Sequence, residues 1–306
     1  MRCTERESNS KDSSEYGMHE AGEKGGLVRI AEDIHVQVGP RGESNQGIIT
    51  TDAGAVLIDN YVRYYTPLME SLGKLRQSFI RFVVNTHNDM DHFSANFFFR
   101  RRGATILSSE WSRAQIGRMM REPYWVEELK KRNPDLAHEV TRPEELIPHL
   151  GIHDRASLDL DGETAELSYM GHGHSPGDLT VYLQQRRVLF AGDLVFVRQH
   201  GRLKTADIQG LLNILNKLAG MPITAIVPGH GEPVVGSEAS EAVAIYRDYI
   251  SILQCRVSDM FNNGRTLDAI KADFKGWKYE SWGRSHLFPV CLEHVYKDVV
   301  WRSRFS

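Results

Sequence analysis

The chain has 306 residues, of which 41% are hydrophobic and 25% charged, an ordinary composition for a globular protein. Its formal net charge of −3 argues against a general affinity for nucleic acid or anionic lipid. Three cysteines exclude a disulfide-rich scaffold. The 13 histidines are a mild excess, so their placement matters more than their number.

The first 26 residues are rich in Ser, Glu, Lys and Gly, which predicts a disordered tail. They contain no apolar core of the kind that a secretory signal needs. No stretch of the chain reaches the roughly 18 apolar residues that would predict a membrane span. We therefore expect a cytoplasmic protein whose partner is a small-molecule substrate, not nucleic acid or a membrane.

The elements that follow alternate between strands and helices. Short β-branched runs bounded by turn residues predict strands at LVRI, IHVQV, QGIITT and GAVLID. A helix at PLMESLGKLRQ, a buried strand at IRFVVNT, a helix at FSANFFFRRRG and a strand at TILSS come next. This alternation predicts the α/β class.

The segment 110–150 is predicted to be largely helical, and strands resume at SLDL, AELSYM, LTVYLQ and VLFAGD. A helix at ADIQGLLNILNKLAG then precedes a strand at TAIV, and the chain is nearly all helical from residue 237. We expect a main domain over 27–236 and a helical extension over 237–306. About 70 residues are few for an independent core, so the extension should pack on the main domain.

The stretch NTHNDMDH, directly after the strand IRFVV, carries the clearest chemistry. It places His87, Asp89, Asp91 and His92 on one short loop at the carboxyl end of a strand. Imidazole and carboxylate groups are suitable ligands for zinc, iron or manganese. The loop is therefore a candidate metal site.

Three further donors also follow predicted strands. They are His174 in GHGHSPGD, Asp193 in FAGD and His230 in PGHG. Each is flanked by Gly, which lets the backbone turn sharply. Because strand ends of an α/β core converge on one edge, we expect these donors to join the loop at 87–92.

This ordered set resembles the metallo-β-lactamase superfamily, whose pattern is HxHxDH followed by a later His, an Asp and a final His. The resemblance spans residues 27–235 and implies a four-layer αββα sandwich with a C-terminal helical extension. It also implies two divalent metal ions, zinc above all. The implied ligands are His87, residue 89 and His174 for one ion, Asp91, His92 and His230 for the other, and Asp193 bridging both.

The second histidine of the family pattern is Asp89 here, which makes the motif HxDxDH. An extra carboxylate hardens the site and leaves iron or manganese as alternatives to zinc. It should also raise the pKa of a bound water. If Asp89 is not a ligand, one ion binds instead of two, and a degenerate site would bind none.

The resemblance implies a hydrolase that uses a metal-bound hydroxide on a small organic ester, thioester, lactone or related substrate. Asp91 would both bind metal and act as the catalytic base. One alternative is an iron-dependent oxidoreductase with one or two irons, since similar proteins that hydroxylate through di-iron also carry a carboxylate at the second motif position. Another alternative is a non-catalytic binding protein with a degenerate site.

Several further residues have weaker claims to a role. His172 and Asp178 are candidates for orienting a ligand or contacting substrate, and Asp59 is assigned to a turn. An aromatic and methionine set in the segment 110–150 suits either a substrate pocket or the core: Trp111, Met119, Met120, Tyr124 and Trp125.

Overall fold

A computed structural model describes residues 25–304 of the chain. Two β-sheets face each other, and helices cover the outer side of each sheet. The first sheet has seven strands in chain order, and the second has six strands in the order β13-β12-β11-β10-β9-β8. The arrangement confirms the predicted αββα sandwich.

The strands of the first sheet are β1 (Gly26–Arg29), β2 (Ile34–Val38), β3 (Gln46–Ile49), β4 (Ala55–Ile58), β5 (Ile80–Val84), β6 (Thr105–Ser109) and β7 (Leu150–Ile152). Those of the second sheet are β8 (Arg155–Leu160), β9 (Glu163–Tyr169), β10 (Leu179–Leu183), β11 (Val188–Gly192), β12 (Ala225–Pro228) and β13 (Val234–Val235). The helices are α1 (Tyr65–Lys74), α2 (Met90–Phe93), α3 (Asn96–Arg101), α4 (Glu110–Met119), α5 (Pro123–Arg132), α6 (Ile208–Ala219), α7 (Glu238–Asn262), α8 (Leu267–Asp273) and α9 (Phe288–Arg302).

Three apolar layers hold the sandwich together. The layer between the sheets joins side chains of both, such as Val56 of β4 and Val181 of β10. The outer face of the first sheet packs on the helices around Phe97. The outer face of the second sheet packs on α6, α7 and α9, so that Leu215 and Val295 belong to one buried cluster. Burial of each such side chain contributes about 1.5–3 kcal/mol.

Helix α6 shows how the sequence produces one of these layers. Its buried positions follow the helical period, at Ile208, Leu211, Leu215 and Leu218. The side chain of Asp207 caps the helix by accepting a 3.0 Å hydrogen bond from the Gly210 amide. The apolar stripe therefore faces the second sheet while the opposite face meets solvent.

The structure differs from the predicted elements in a few places. The helical segment after residue 110 is split, because Pro123 fits the first turn of a new helix but cannot continue the previous one. The short strands β7 and β13 were not predicted. The predicted tail lies outside the described residues except for Gly25 and Gly26, and Gly26 already begins β1.

Each sheet contains parallel strands, and these determine the edge at which the predicted donor segments emerge. Strands β4 and β5 are parallel, as are β11 and β12. Within each sheet, the segments that follow the two parallel strands therefore emerge on one edge. Residues from these segments of both sheets lie within 4.8 Å of one another, so the two edges adjoin. None of the helices in the described range is long and apolar enough to cross a membrane.

Candidate metal centre

The seven predicted donors lie together at this edge. They form three overlapping groups in which the donor atoms are all within 4.8 Å of one another. The groups are His87, His92 and Asp193; His87, Asp89 and His174; and Asp91, His92 and His230.

The loop after β5 delivers four of the seven donors because it turns directly into a short helix. His87 is on the loop, Asp89 precedes the first residue of α2, and Asp91 and His92 are in its single turn. The Asn85 side chain donates a 3.0 Å hydrogen bond to the His92 carbonyl, which ties the turn back to the end of β5. Donors that alternate along the sequence are thus brought together in space by the loop and the helical turn.

Asp193 is the carboxylate shared by both sides of the cluster. Its Oδ2 lies 3.6 Å from Nε2 of His174 and 3.4 Å from Nε2 of His230. Its Oδ1 lies 3.5 Å from Nε2 of His92. Asp89 faces the first side, with its Oδ2 3.7 Å from Nε2 of His87 and 3.6 Å from Nε2 of His174.

Asp91 faces the second side of the cluster. Its Oδ2 lies 3.4 Å from Nε2 of His230 and 3.7 Å from Nε2 of His92. The Asp91 and Asp89 side chains are 23% and 39% exposed, whereas that of Asp193 is only 5% exposed. The centre is therefore closed at Asp193 and open to solvent at Asp89 and Asp91.

Three of the four histidines are held with Nε2 pointing into the cluster. The Nδ1 atoms of His87, His92 and His230 contact Thr86 Oγ1 at 3.0 Å, Asp59 Oδ2 at 2.8 Å and the Gly42 carbonyl at 2.9 Å, respectively. Such contacts set the tautomer and the ring orientation. The Nε2 atoms of these three rings thereby face the Asp193 carboxylate, from the positions of metal ligands.

Asp59 has a role that the sequence interpretation missed. The residue does occupy a turn, with a φ of 62°. Its buried carboxylate also accepts hydrogen bonds from the amide and hydroxyl of Thr86, at 2.7 and 2.8 Å, and from His92. Its position at the end of β4, on the edge that carries the other donors, was the signal available in the sequence.

Electrostatic interactions in the cluster favour the protonated form of His92 and the ionised forms of Asp193 and Asp89. Burial lowers the pKa of His92, but Asp59, Asp193 and Asp91 outweigh it and raise that pKa to about 10. Burial raises the pKa of Asp193, yet the facing His230 and His92 hold it well below its usual range. Partial burial likewise raises the pKa of Asp89, and His174 and His87 bring it well below the ordinary value.

Several donor atoms in the cluster are buried without a hydrogen-bond partner: Nε2 of His87, both ring nitrogens of His174 and Oδ1 of Asp193. Leaving such atoms unpaired is costly. The closest donor pairs are 3.4–3.7 Å apart. Two ligands about 2.0–2.2 Å from a tetrahedral ion are roughly 3.4 Å apart, so these residues fit metal ions.

A glycine permits the close packing of the centre. A β-carbon on Gly229 would lie 2.0 Å from Oδ1 of Asp193 and 3.1 Å from Cε1 of His92. The Asn45 side chain donates hydrogen bonds to the carbonyls of Pro228 and Gly231, at 2.9 and 2.7 Å, which holds this turn in place. The glycine before His230 is therefore part of the centre.

The two weaker candidates differ in what they contact. His172 turns away, with its Nε2 2.6 Å from the Thr205 carbonyl, and it belongs to none of the donor groups. The Asp178 carboxylate accepts hydrogen bonds from the amides of Gly173 and Ser175 and from no imidazole of the described residues. It thereby holds the backbone on both sides of His174.

The aromatic and methionine set divides between core and surface. Met119 and Met120 are buried in the cluster beneath the first sheet, and Trp125 packs against that cluster. Trp111 and Tyr124 are 51% and 63% exposed. The methionines are therefore core residues, whereas Trp111 and Tyr124 lie at the surface.

The family model of the metallo-beta-lactamase superfamily matches residues 39–230. The chain belongs to this superfamily. The metallo-beta-lactamase type 2 of Bacteroides fragilis is 31% identical over 103 residues, covering 32% of this chain and 40% of that protein. The chain thus matches less than half the length of this curated relative.

Two solved structures share the fold. A metallo-beta-lactamase from Pontibacter korlensis is 23% identical with a TM-score of 0.55, covering 74% of this chain and 98% of its own. The stereoselective inverting sec-alkylsulfatase Pisa1 from Pseudomonas sp. is 18% identical with a TM-score of 0.64, covering 89% of this chain and 50% of its own. At these identities the likeness shows the fold alone, and it is membership of the superfamily that supports a hydrolase-type function here.

Proposed function

We propose that this protein is a metal-dependent hydrolase of a small organic ester, thioester, lactone or related substrate. One observation carries the proposal: two three-donor groups meet on either side of a shared buried carboxylate, Asp193. The small-molecule substrate and the cytoplasmic location stay predictions from the sequence.

The proposed ligands divide between two ions. His87, Asp89 and His174 would hold the first ion, and Asp91, His92 and His230 the second, while Asp193 reaches both. When bound, divalent ions at these positions lower the pKa of a water molecule and polarise the electrophilic centre of the substrate. Zinc is the metal that family membership favours, and Asp89 keeps iron and manganese open.

Asp91 is the proposed catalytic residue. Its carboxylate is partly open to solvent, whereas that of Asp193 is buried. In hydrolysis, the water oxygen forms a bond to the carbonyl carbon and the bond to the leaving group breaks. Asp91 accepts the proton that the water loses, and that proton can return to the leaving group.

Asp89 specifically favours a second candidate, an iron-dependent oxidoreductase. Its carboxylate stands in a three-donor group with His87 and His174 and is not turned away into solvent. A third carboxylate in the centre suits a harder metal than zinc. Metal identity is therefore the property that separates the two candidates.

The test is metal content together with activity. The protein is purified from media supplemented with zinc, iron or manganese, and metal is counted per chain by mass spectrometry. Each preparation is assayed on a panel of ester, thioester, lactone, phosphodiester and sulfate-ester substrates. We expect two ions per chain and hydrolysis of at least one small ester-type substrate.

The variant His230→Ala should lower that hydrolysis by at least about 100-fold, because it removes a metal ligand. His138→Ala, at a side chain that is 74% exposed and outside the donor groups, is the matched control and should behave as wild type. Two irons with an oxygen-sensitive visible band and no hydrolysis would favour the oxidoreductase. No bound metal in any medium would overturn both candidates and favour a non-catalytic binding protein.

A further inference from the structure

Arg284, in the C-terminal helical part of the chain, packs beside two residues that contact the metal centre. It lies between α8 and α9, next to Gly283, which pairs with Gln199 in an isolated β-bridge. The Gly283 amide donates to the Arg198 carbonyl, and the His200 amide donates to the Gly283 carbonyl, both at 3.0 Å. This pairing fixes Arg284 beside the segment that follows Asp193.

The Arg284 side chain lies against two groups that contact His230. Its guanidinium carbon is 5.7 Å from the centre of the Phe196 ring, and that ring stacks on His230 with centroids 5.9 Å apart. A β-carbon on Gly42 would lie 3.6 Å from Cγ and Cδ of Arg284. Gly42 is the residue whose carbonyl accepts the hydrogen bond from His230.

The charge of Arg284 has no counterpart among the described residues. Its Nη1 is buried without a hydrogen-bond partner, and no ion pair in residues 25–304 includes it. Arg256 and Arg302, on neighbouring elements, both pair with aspartates. A guanidinium stays charged at any ordinary pH. Burying one of its N–H donors without an acceptor costs free energy, unless a bound ligand supplies that acceptor.

A second unpaired donor packs on the same aromatic ring. The hydroxyl of Tyr246 is buried without a partner, and its ring lies 5.8 Å from that of Phe196. Burial raises the pKa of Tyr246, and the charge of Asp193 adds to this whereas that of Arg284 opposes it. Tyr246 therefore lies within the fields of both the metal centre and Arg284.

We propose that Arg284 binds an oxyanion of the substrate, a carboxylate or a sulfate group, beside the metal centre. A guanidinium is planar and presents paired N–H donors that match such groups. The side chain that carries the unpaired Nη1 packs on Phe196 and Gly42, so the proposed anion site lies on the His230 side of the metal centre. The inference deepens the proposed hydrolase function, because it narrows the substrate class to esters, thioesters or lactones that carry an acidic group.

The test uses Arg284→Asn, a substitution that removes the charge and keeps the backbone conformation. Arg284 has a φ of 57°, a left-handed position in which Asn is well tolerated. Arg187→Asn is the matched control, since Arg187 has a φ of 55° and is exposed in the turn before β11, at the opposite end from Asp193. Arg284→Lys retains the charge but not the paired donors.

The first readout is calorimetric titration of the metal-loaded protein with succinate and, separately, with inorganic sulfate. We expect Arg284→Asn to weaken binding of at least one anion by roughly 10- to 100-fold, as a lost charge-assisted hydrogen bond does. The anion affinity of Arg284→Lys should lie between those of wild type and Arg284→Asn, and the affinity of Arg187→Asn should equal that of wild type. The anion that loses affinity identifies the group that Arg284 recognises.

The second readout compares the mono-4-nitrophenyl ester of succinic acid with 4-nitrophenyl acetate, which is neutral. Arg284→Asn should lower kcat/KM for the anionic ester and leave that for the neutral ester within about twofold. Equal anion affinity in wild type and Arg284→Asn overturns the inference, as does an equal loss in Arg187→Asn. If Arg284→Asn fails to fold, undiminished anion affinity in Arg284→Lys, which lacks the paired donors, overturns it.

The two proposals fail separately. If no ester is hydrolysed, the hydrolase proposal fails while the titrations still decide whether Arg284 binds an oxyanion. If esters are hydrolysed with no preference for the anionic probe and no anion affinity, only the inference about Arg284 fails.

Discussion

Nδ1 of His92 donates a 2.8 Å hydrogen bond to Oδ2 of Asp59, a residue 33 positions earlier in the chain. The bond connects the residue that follows β4 with the short helix α2, which comes soon after the neighbouring parallel strand β5. Because Asp59 also accepts from the amide and hydroxyl of Thr86, one buried carboxylate holds both the backbone before His87 and the ring of His92. Asp59 is therefore a positioning residue for the centre.

The variant Asp59→Asn tests this role. The substitution removes the charge that stabilises the His92 N–H and places amide hydrogens near the Thr86 donors. We expect metal affinity to fall by about 10- to 100-fold, as when other partners of a ligand histidine are lost. Competition with a chelator of known affinity measures the change. Asp33→Asn, which breaks a surface pair with Arg186, is the control, and equal affinities in the two variants would contradict the prediction.

The variant Gly229→Ala tests the close packing at the shared carboxylate. Its β-carbon would lie 2.0 Å from Oδ1 of Asp193, so that the carboxylate or the turn must move. We expect the loss of at least one bound ion per chain with little change in circular dichroism. Gly73→Ala is the matched control, since a β-carbon there meets nothing within 4 Å and should be neutral or stabilising by up to about 1 kcal/mol. Full metal content in Gly229→Ala would contradict the prediction that this close approach is needed to hold the ions.

The variant Asp89→His tests whether Asp89 is a ligand that sets metal preference. Restoring the family imidazole softens the donor set, so zinc affinity should rise relative to iron and manganese. The measurement is metal content after growth in a medium that contains all three metals. Asp248→His, at a side chain that is 57% exposed, controls for adding a histidine. An unchanged metal profile would mean that Asp89 does not contact the metal.

The thiol of Cys291 should be unreactive in the folded protein. Burial raises its pKa to about 12, with the Tyr249 hydroxyl opposing the rise only in part. At pH 8 the thiolate fraction is then on the order of 1 in 10,000, and the thiolate is the nucleophile. Iodoacetamide at pH 8 should leave the Cys291 peptide unmodified until guanidinium unfolds the protein. Peptide mass spectrometry follows this, and rapid labelling without denaturant would show that the side chain is accessible.

The donors of the centre were predictable because four of them share one loop after a strand, and the other three each follow a strand next to a Gly. A metal-binding role for His87, Asp91 and His230 can be inferred from local features alone, namely the residue type and the preceding strand. Membership of the superfamily and the four-layer fold followed from the order of those motifs. The short strands β7 and β13 were missed because two or three residues carry too little periodicity to predict a strand.

Side-chain direction on the loops was not predictable. His172 and His174 are two residues apart on one loop, yet only His174 enters the cluster while His172 meets the Thr205 carbonyl. The loop conformation that separates them depends on the Asp178 carboxylate, which binds amides on both sides of His174. Such contacts form only when the loop is folded against the rest of the chain.

The sequence by itself determined the class of fold, the identities of seven metal-binding candidates and the substitution at Asp89. Only the tertiary structure decided that Asp59 orients His92 and that Arg284, with an unpaired nitrogen, packs on the Phe196 ring. The physical reason is separation along the chain. Hydrogen bonds and ring contacts between residues tens of positions apart depend on which strands pair and which helices pack. The spacing of residues along the sequence predicts neither the strand pairing nor the helix packing.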